Sequence, residues 1–265
     1  MKKIEDKSEN YTNQLEEKIV ELRLQLKAVS NTLKTVNIEN DRLISMLIHN
    51  LKNPIGISYS FSDMILAGIE NYDAEKIQKH VQIIKNSSQY TIELLNSFSE
   101  YNQLKNSSTD YNFQLKNYNE VLNNVVNDFN EIAKSKKIGL IKKISEDPLL
   151  VNIDARKITR ALKNILNNAI RFSDENSKII IEVVKNNNTI DTVISDEGIG
   201  VSENDLTEIF KDFVVINTYD TSKQKCIGLG LPIAEKIIKQ HSGKISAKSI
   251  LNMGTSVTIS LPLNN

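Results

Sequence analysis

The sequence predicts an α+β protein: a coiled-coil stalk running into a dimeric four-helix bundle, followed by a two-layer α/β sandwich. Three observations lead there. Apolar residues from Leu15 to Leu47 recur at alternating steps of four and three. A second long amphipathic segment follows a polar loop. Beyond residue 110, helical patterns are interleaved with short runs in which every second residue is apolar.

The first pattern comprises Leu15, Ile19, Leu22, Leu26, Val29, Leu33, Val36, Asn40, Leu43 and Leu47. Its period of about 3.5 residues is that of a coiled coil, and Asn40 falls at an a position, where a buried amide fixes register and favours a parallel dimer. The helix is expected to continue through "LISMLIHNLKNPIGISYSFSDMILAGI", bent but not ended by Pro54, because apolar residues resume at once. "AGIENYDAEK" reads as a loop whose Asp73 caps a second helix, "AEKIQKHVQIIKNSSQYTIELLNSFSEYNQL". Two antiparallel helices per chain on a dimer seam make a four-helix bundle. The polar stretch "KNSSTD" (105–110) is the domain boundary. "YNFQLKNY" and "PLLVNID" then read as strands around the helix "NEVLNNVVNDFNEIAKSKK". Next come the helix "ARKITRALKNILNNAIRFS", the strands "KIIIEVVK" and "TIDTVISDEG", the helix "GLPIAEKIIKQHSG" and the strands "KISAKSI" and "TSVTISLPL". A mixed, mostly antiparallel sheet covered by grouped helices is expected. The segments are 1–40 for the stalk, 41–107 for the hairpin and 108–265 for the sandwich.

Bulk properties narrow the function classes. Lys+Arg and Asp+Glu both number 33, so the net charge is zero, and the usual electrostatic reason to expect a nucleic-acid partner is absent. The single cysteine, Cys226, forms no internal disulfide and suits a reducing compartment. No apolar run approaches the roughly 20 residues of a membrane helix, and the charged opening "MKKIEDKSEN" is no secretory signal. The chain reads as soluble and cytoplasmic, with no membrane segment.

Four stretches of the C-terminal part carry chemistry. In "NILNNAIRFS", Asn164 and Asn168 lie four apart on one helix face, where amide oxygens can ligate a hard cation such as Mg²⁺; Arg171 follows on that face and can neutralise a phosphate. In "DEGIG", Asp196 ends an alternating strand and can accept from the exocyclic amine of an adenine, while Gly198 and Gly200 let the backbone approach the base. In "EIFKDF", Phe210 and Phe213 read as a hydrophobic anchor. In "IGLGLPIAEKII", Gly228 and Gly230 open a helix whose free amides favour an anion, without a Walker lysine or a preceding strand. Between the last two, the polar "VVINTYDTSKQKCI" suits a mobile lid.

The ordered set of a histidine box, the asparagine box, DxGxG, the phenylalanine box, GLGL and the terminal "MGTSVTISLP" resembles a sensor histidine kinase of two-component systems, from about residue 41 to residue 263. The resemblance implies a dimeric helical domain bearing the phosphoacceptor and a Bergerat-type ATP-binding domain. It implies ATP and Mg²⁺ as cofactors and a response-regulator receiver domain as partner. Asn168 would ligate Mg²⁺ and Asp196 would read adenine. Asn164, Arg171, Phe172, Gly198, Gly200, Gly228, Leu229, Gly230, Leu231 and Thr255 would complete the nucleotide site. The chain departs from the family where Lys225, Cys226 and Ile227 replace two glycines and a small hydroxyl residue before GLGL. Lys223 and Lys225 can offset the loss with charge.

The histidine box is "HNLKNP". His49 lies two residues past Leu47, and two helical steps are about 200° of rotation, so its ring projects away from the seam. A neutral, exposed imidazole is a competent nucleophile for a γ-phosphoryl group. By the resemblance His49 is the phosphoacceptor, whereas His80 and His241 read as structural or surface residues. Asn50 stands where the family commonly carries a carboxylate. Its amide oxygen can fix the imidazole tautomer but cannot take up a proton, which predicts a slowed autokinase, since general-base assistance is worth about 10²–10⁴ in rate. Asn53, one turn on, occupies the position from which the family orients water against an aspartyl phosphate, and predicts phosphatase activity toward the regulator. The rival readings are a nucleotide-binding pseudokinase acting as scaffold or phosphatase, and another Bergerat-fold ATPase.

Overall fold

The computed structural model describes residues 2–69, 71–105, 111–217, 219–221 and 226–263, with side chains described from residue 17 onward and not at Lys105. The domain boundary at 106–110 lies outside the described residues, as do Lys223 and Lys225. By contacts the chain divides into two compact units, Met1–Ile84 and Lys85–Asn265.

The first unit is dominated by α1 (Lys2–Gly68), a single helix that continues through Pro54 as the resumed apolar pattern requires. It ends at Gly68, whose carbonyl accepts from the amides of Asn71 and Tyr72 at 2.9 Å. Asp73 caps α2 (Ala74–Lys105), its Oδ1 accepting from the Lys76 amide at 2.7 Å. Near the start of α2, His80 sits edge-on to the rings of Phe61 and Tyr72, at 5.1 and 5.4 Å, as a half-buried packing residue.

The second unit takes in the rest of α2 and the α/β sandwich. Strand β1 (Gln114–Asn117) pairs antiparallel with β3 (Leu150–Ile153) as a separate ladder. Helix α3 (Tyr118–Ser135) leads to β2 (Gly139–Lys143), a strand unread in the sequence. Helix α4 (Ala155–Phe172) precedes β4 (Lys178–Lys185) and β5 (Thr189–Asp196). A single turn, α5 (Glu203–Leu206), also unread, is followed by α6 (Gly230–Gln240), β6 (Lys244–Ile250) and β7 (Gly254–Pro262). The five-stranded sheet has the order β2-β4-β5-β7-β6. Only β2 against β4 is parallel; the remaining pairs are antiparallel, giving the mixed sheet expected.

Helix α4 is the centre of this unit. Asp154 starts it, accepting from the amides of Arg156 and Lys157 at 3.0 and 3.2 Å. Ile158, Ala161, Leu162, Ile165, Leu166, Ala169 and Ile170 form its buried stripe. On β5 the sheet face under the helices carries Ile190, Thr192 and Ile194, all buried. The Thr192 hydroxyl is paired with Tyr118 at 2.6 Å, and burial pushes the Tyr118 phenol up to about 12.

His241 closes the end of α6. Its Nδ1 lies 2.8 Å from the Ile237 carbonyl and its Nε2 accepts from the Asp154 amide at 3.0 Å, which fixes a neutral ring protonated on Nδ1. Burial lowers its pKa against the Ile237 hydrogen bond and the Asp154 charge. The unfolded chain therefore binds a proton that the fold refuses, and the stability His241 contributes is full above the ordinary imidazole pKa and lost as pH falls below it. Chemical unfolding from about pH 7.5 down to 5 should show a falling midpoint in the wild type, and a shallower fall in His241→Leu. That variant should also lose about 1–3 kcal/mol at neutral pH, because the Asp154 amide loses its ring partner.

Candidate nucleotide site

The strand register decides where Asp196 stands. Positions 190, 192, 194 and 196 of β5 share the helix-facing side, and Asp196 is the last of them, beyond the apolar cover. There it lines a cavity of about 410 Å³. Its Oδ1 accepts from the amide of Gly198 at 3.0 Å and from that of Thr255, on the adjacent β7, at 3.1 Å. Burial raises the carboxyl above the ordinary aspartate range, against the pull of these amide bonds. Asp191, by contrast, sits on the other face of the strand.

Two glycines hold this geometry. Gly254 has φ +108°, and a Cβ there would lie 1.9 Å from the Asp196 carbonyl. Gly228 has φ +76°, and a Cβ would come within 2.6 Å of the Val214 carbonyl. Gly254 was not singled out in the sequence, although its neighbour Thr255 in the same "GT" pair was. The loop after Asp196 abuts the last turn of α4, where the Ile199 amide donates to the Phe172 carbonyl at 3.1 Å.

The face of α4 opposite its apolar stripe supplies Arg160, Asn164, Asn168 and Arg171, all lining the cavity. Gly230, at the first turn of α6, stands against both: a Cβ there would be 3.7 Å from either amide atom of Asn168. Asn164 Nδ2 is buried with no hydrogen-bond partner, the mark of a polar group built for a ligand. Among the described residues no three His, Cys, Asp or Glu side chains cluster around a possible ion. A cation in this cavity would therefore rest on amide oxygens and on phosphates, as suits Mg²⁺.

Of the expected nucleotide residues, Asn164, Asn168, Arg171, Phe172, Asp196, Gly200, Gly228, Leu229, Gly230, Leu231 and Thr255 all line this one cavity. Gly198 stands just behind it, bonded to Asp196. His49, Asn50 and Asn53 belong to the first unit, on α1: His49 and Asn53 are exposed, and Asn50 is half-buried. Sequence reasoning missed the apolar walls Ile194, Ile199, Ile209 and Val257, of which Ile194 and Val257 were legible as helix-facing positions of their strands. It also missed Arg160 and the α2 residues Glu93, Asn96 and Ser97, which line the cavity too.

The segment expected to be a mobile lid is anchored where it is described. Val214, Val215, Ile216 and Asn217 line the cavity. Asp220, with 2% of its side chain exposed, pairs with Arg171 at 2.8 Å. Thr221 donates to the carbonyls of Arg171 and Ser173, both at 2.9 Å. Lys136 donates to the Ile170 and Arg171 carbonyls at 2.8 and 3.0 Å, capping the C-terminal turn of α4. Cys226 is buried, with Arg171 Nη2 3.7 Å from its sulfur, and burial raises its thiol pKa. At the other end of the segment, Phe213 adopts φ 59° and packs against the rings of Phe98 and Tyr101, at 6.1 and 6.4 Å. That is the anchoring expected of Phe213.

Comparison with known proteins agrees with this geometry. Residues 153–265 match the family described as histidine kinase-, DNA gyrase B-, and HSP90-like ATPase. The sensor histidine kinase WalK of Bacillus subtilis is 27% identical over 227 residues, covering 84% of this chain and 37% of WalK. The nucleotide-free catalytic domain of the histidine kinase ThkA superposes with a TM-score of 0.51 at 28% identity, over 57% of this chain and 96% of that one. ThkA in complex with the response regulator protein TrrA gives a TM-score of 0.69 at 24% identity, over 84% of this chain and 61% of that one. Residues 153–265 carry the ATPase domain that this family describes, and the chain over most of its length is similar to sensor histidine kinases. It spans 37% of the length of WalK.

Gly254→Ala should combine backbone strain with collision against Asp196. Chemical unfolding is expected to show a loss of about 2 kcal/mol or more. Fluorescent nucleotide titration of the fraction that remains folded should show weakened binding. An unchanged unfolding midpoint would contradict the fit of β7 against Asp196.

Proposed function

We propose that this protein is an ATP-dependent protein-histidine kinase that phosphorylates its own His49 and passes the phosphoryl group to an aspartate on a response regulator. The observation that carries the reading is the convergence of the asparagine pair, Asp196, Thr255 and the GLGL backbone on one cavity, in a chain whose exposed His49 precedes Asn50, Asn53 and Pro54 in a histidine-box pattern. In this reading Asp196 accepts from the adenine amine. Asn168, with Asn164 beside it, holds Mg²⁺, which when bound neutralises phosphate charge. The first amides of α6 face the phosphates. His49 contributes an imidazole nitrogen lone pair that forms the new N–P bond as the bond to the ADP oxygen breaks. In functional terms residues 1–40 form the signalling helix, 41–107 the dimerisation and phosphotransfer hairpin, and 108–265 the catalytic domain.

Dimerisation is supported by the stalk's heptad residues. Ile19, Leu22, Leu26, Val29 and Leu33 are between 48% and 70% exposed in a single chain. A row of apolar side chains at heptad spacing gains about 1.5–3 kcal/mol for each large residue it buries against a second copy. The response regulator is supported by ThkA, which has been solved with one. Among the described residues no helix is long and apolar enough to cross a membrane. ATP use accords with a cytoplasmic location.

Asn50 favours a second reading, a nucleotide-binding pseudokinase that serves as scaffold or phosphatase. Incubation with labelled ATP separates the two. The kinase reading expects acid-labile label on the wild type, none on His49→Gln, and faster labelling of Asn50→Asp by about 10-fold or more. A wild type that binds nucleotide and never acquires the label sinks the kinase and leaves the pseudokinase. Asn53→Ala is expected to lose hydrolysis of the regulator's aspartyl phosphate while keeping autophosphorylation; equal loss of both would refute its role.

A further inference from the structure

Arg160 and Arg171 are the only basic side chains among the described residues that line the cavity, and each is held by a carboxylate. The two pairs differ in kind. Asp220 is buried against Arg171, with 2% of its side chain exposed, so opening that pair would strand a charge away from water. Glu100 of α2 instead takes Arg160 in a fork: Arg160 Nε donates to Oε1 at 3.1 Å and to Oε2 at 2.8 Å, and Nη2 reaches Oε2 at 2.8 Å. Here the two side chains are 42% and 23% exposed, so water can take over either partner and exchange is cheap.

The order of residues along α4 gives the site a direction. Phe172, in the last turn, abuts the loop of Asp196 and Gly198. Asn168 and Asn164 follow at successive turns toward the N-terminus, and Arg160 is one turn beyond Asn164, all facing the same cavity. A nucleotide whose base sits at Asp196 and whose metal sits at the asparagines has its terminal phosphate pointing to the Arg160 end. A guanidinium is suited to that role, because its planar fork accepts a phosphate in the same two-pronged way it accepts a carboxylate.

We propose that Arg160 binds the terminal phosphate of a nucleoside triphosphate, and that Glu100 occupies its fork when that phosphate is absent. The inference rests on the nucleotide reading above. Glu100 is thus an internal competitor supplied by the second helix of the hairpin. Glu93, from the same helix, adds a second carboxylate to the cavity wall. A diphosphate, which lacks the competing group, leaves the Arg160–Glu100 pair in place.

The test is calorimetric titration of the full chain, in Mg²⁺, with ADP and with a non-hydrolysable β,γ-imido triphosphate analogue. Arg160→Gln should weaken the analogue by about 10-fold or more and leave ADP within about twofold, since a charge-assisted bond to phosphate is lost. Glu100→Gln should tighten the analogue by about threefold, the scale of a partly exposed ion pair, again sparing ADP. The double variant should behave as Arg160→Gln alone, because Glu100 acts only through Arg160. Equal changes for both nucleotides, or additive effects in the double variant, overturn the assignment and leave the nucleotide site standing. A wild type that binds neither nucleotide overturns the site and this inference with it.

Discussion

The cavity is organised around one half-buried carboxylate. Asp196 is the last helix-facing position of a strand whose earlier positions are capped by α4 and its neighbours. A single step of register would send it to the opposite face. One of its oxygens is held by two amides, from its own loop and from the next strand. The second of these reaches it because Gly254 enters β7 with a backbone that an L side chain would block. This carboxylate is therefore fixed from two sides, and the geometry of this end of the cavity follows from it.

Helix α4 carries the consequences outward. Its apolar stripe fastens it to the core, and that attachment presents Arg171, Asn168, Asn164 and Arg160 in order on the opposite side. In the proposed reading the helix serves as a ruler along which a nucleotide lies from base to terminal phosphate. The ends of the ruler are tied by different means. At its C-terminus, Lys136 and Thr221 satisfy the last carbonyls and bring Asp220 to Arg171. Toward its N-terminus, Arg160 is engaged by Glu100 from α2. Both ties join the site to segments distant in sequence, so occupancy of the cavity and the placement of those segments are physically linked.

Much of this was legible in the residues alone. Heptad spacing, the Asp73 cap and the resumption of apolar residues after Pro54 were enough to read α1 and α2. The asparagine pair, DxGxG and GLGL located the cavity because each encodes a local backbone need. Strand β2 escaped because "GLIKK" offers too short an alternation among lysines, and its parallel pairing with β4 is a long-range choice. His241 looked like any histidine near a helix end; only the fold brings the Asp154 amide to its ring. Arg160, Glu100 and Glu93 carry no local signal either, since their meaning depends on α2 lying along the cavity wall. The lid was read as unanchored because polar composition does not show that Asp220 and Thr221 have partners 49 and 50 residues earlier on α4.

The central claim is that Asp196, half-buried at the end of β5, reads the amine of an adenine. Comparing ADP with GDP binding to the wild-type chain, in Mg²⁺ and at neutral pH, tests it most directly. Guanine places a carbonyl oxygen where adenine carries its amine, so the carboxylate would face an acceptor with nothing to donate. The expected result is a preference for ADP of about 100-fold or more. Affinities within a few-fold of each other would contradict the assignment.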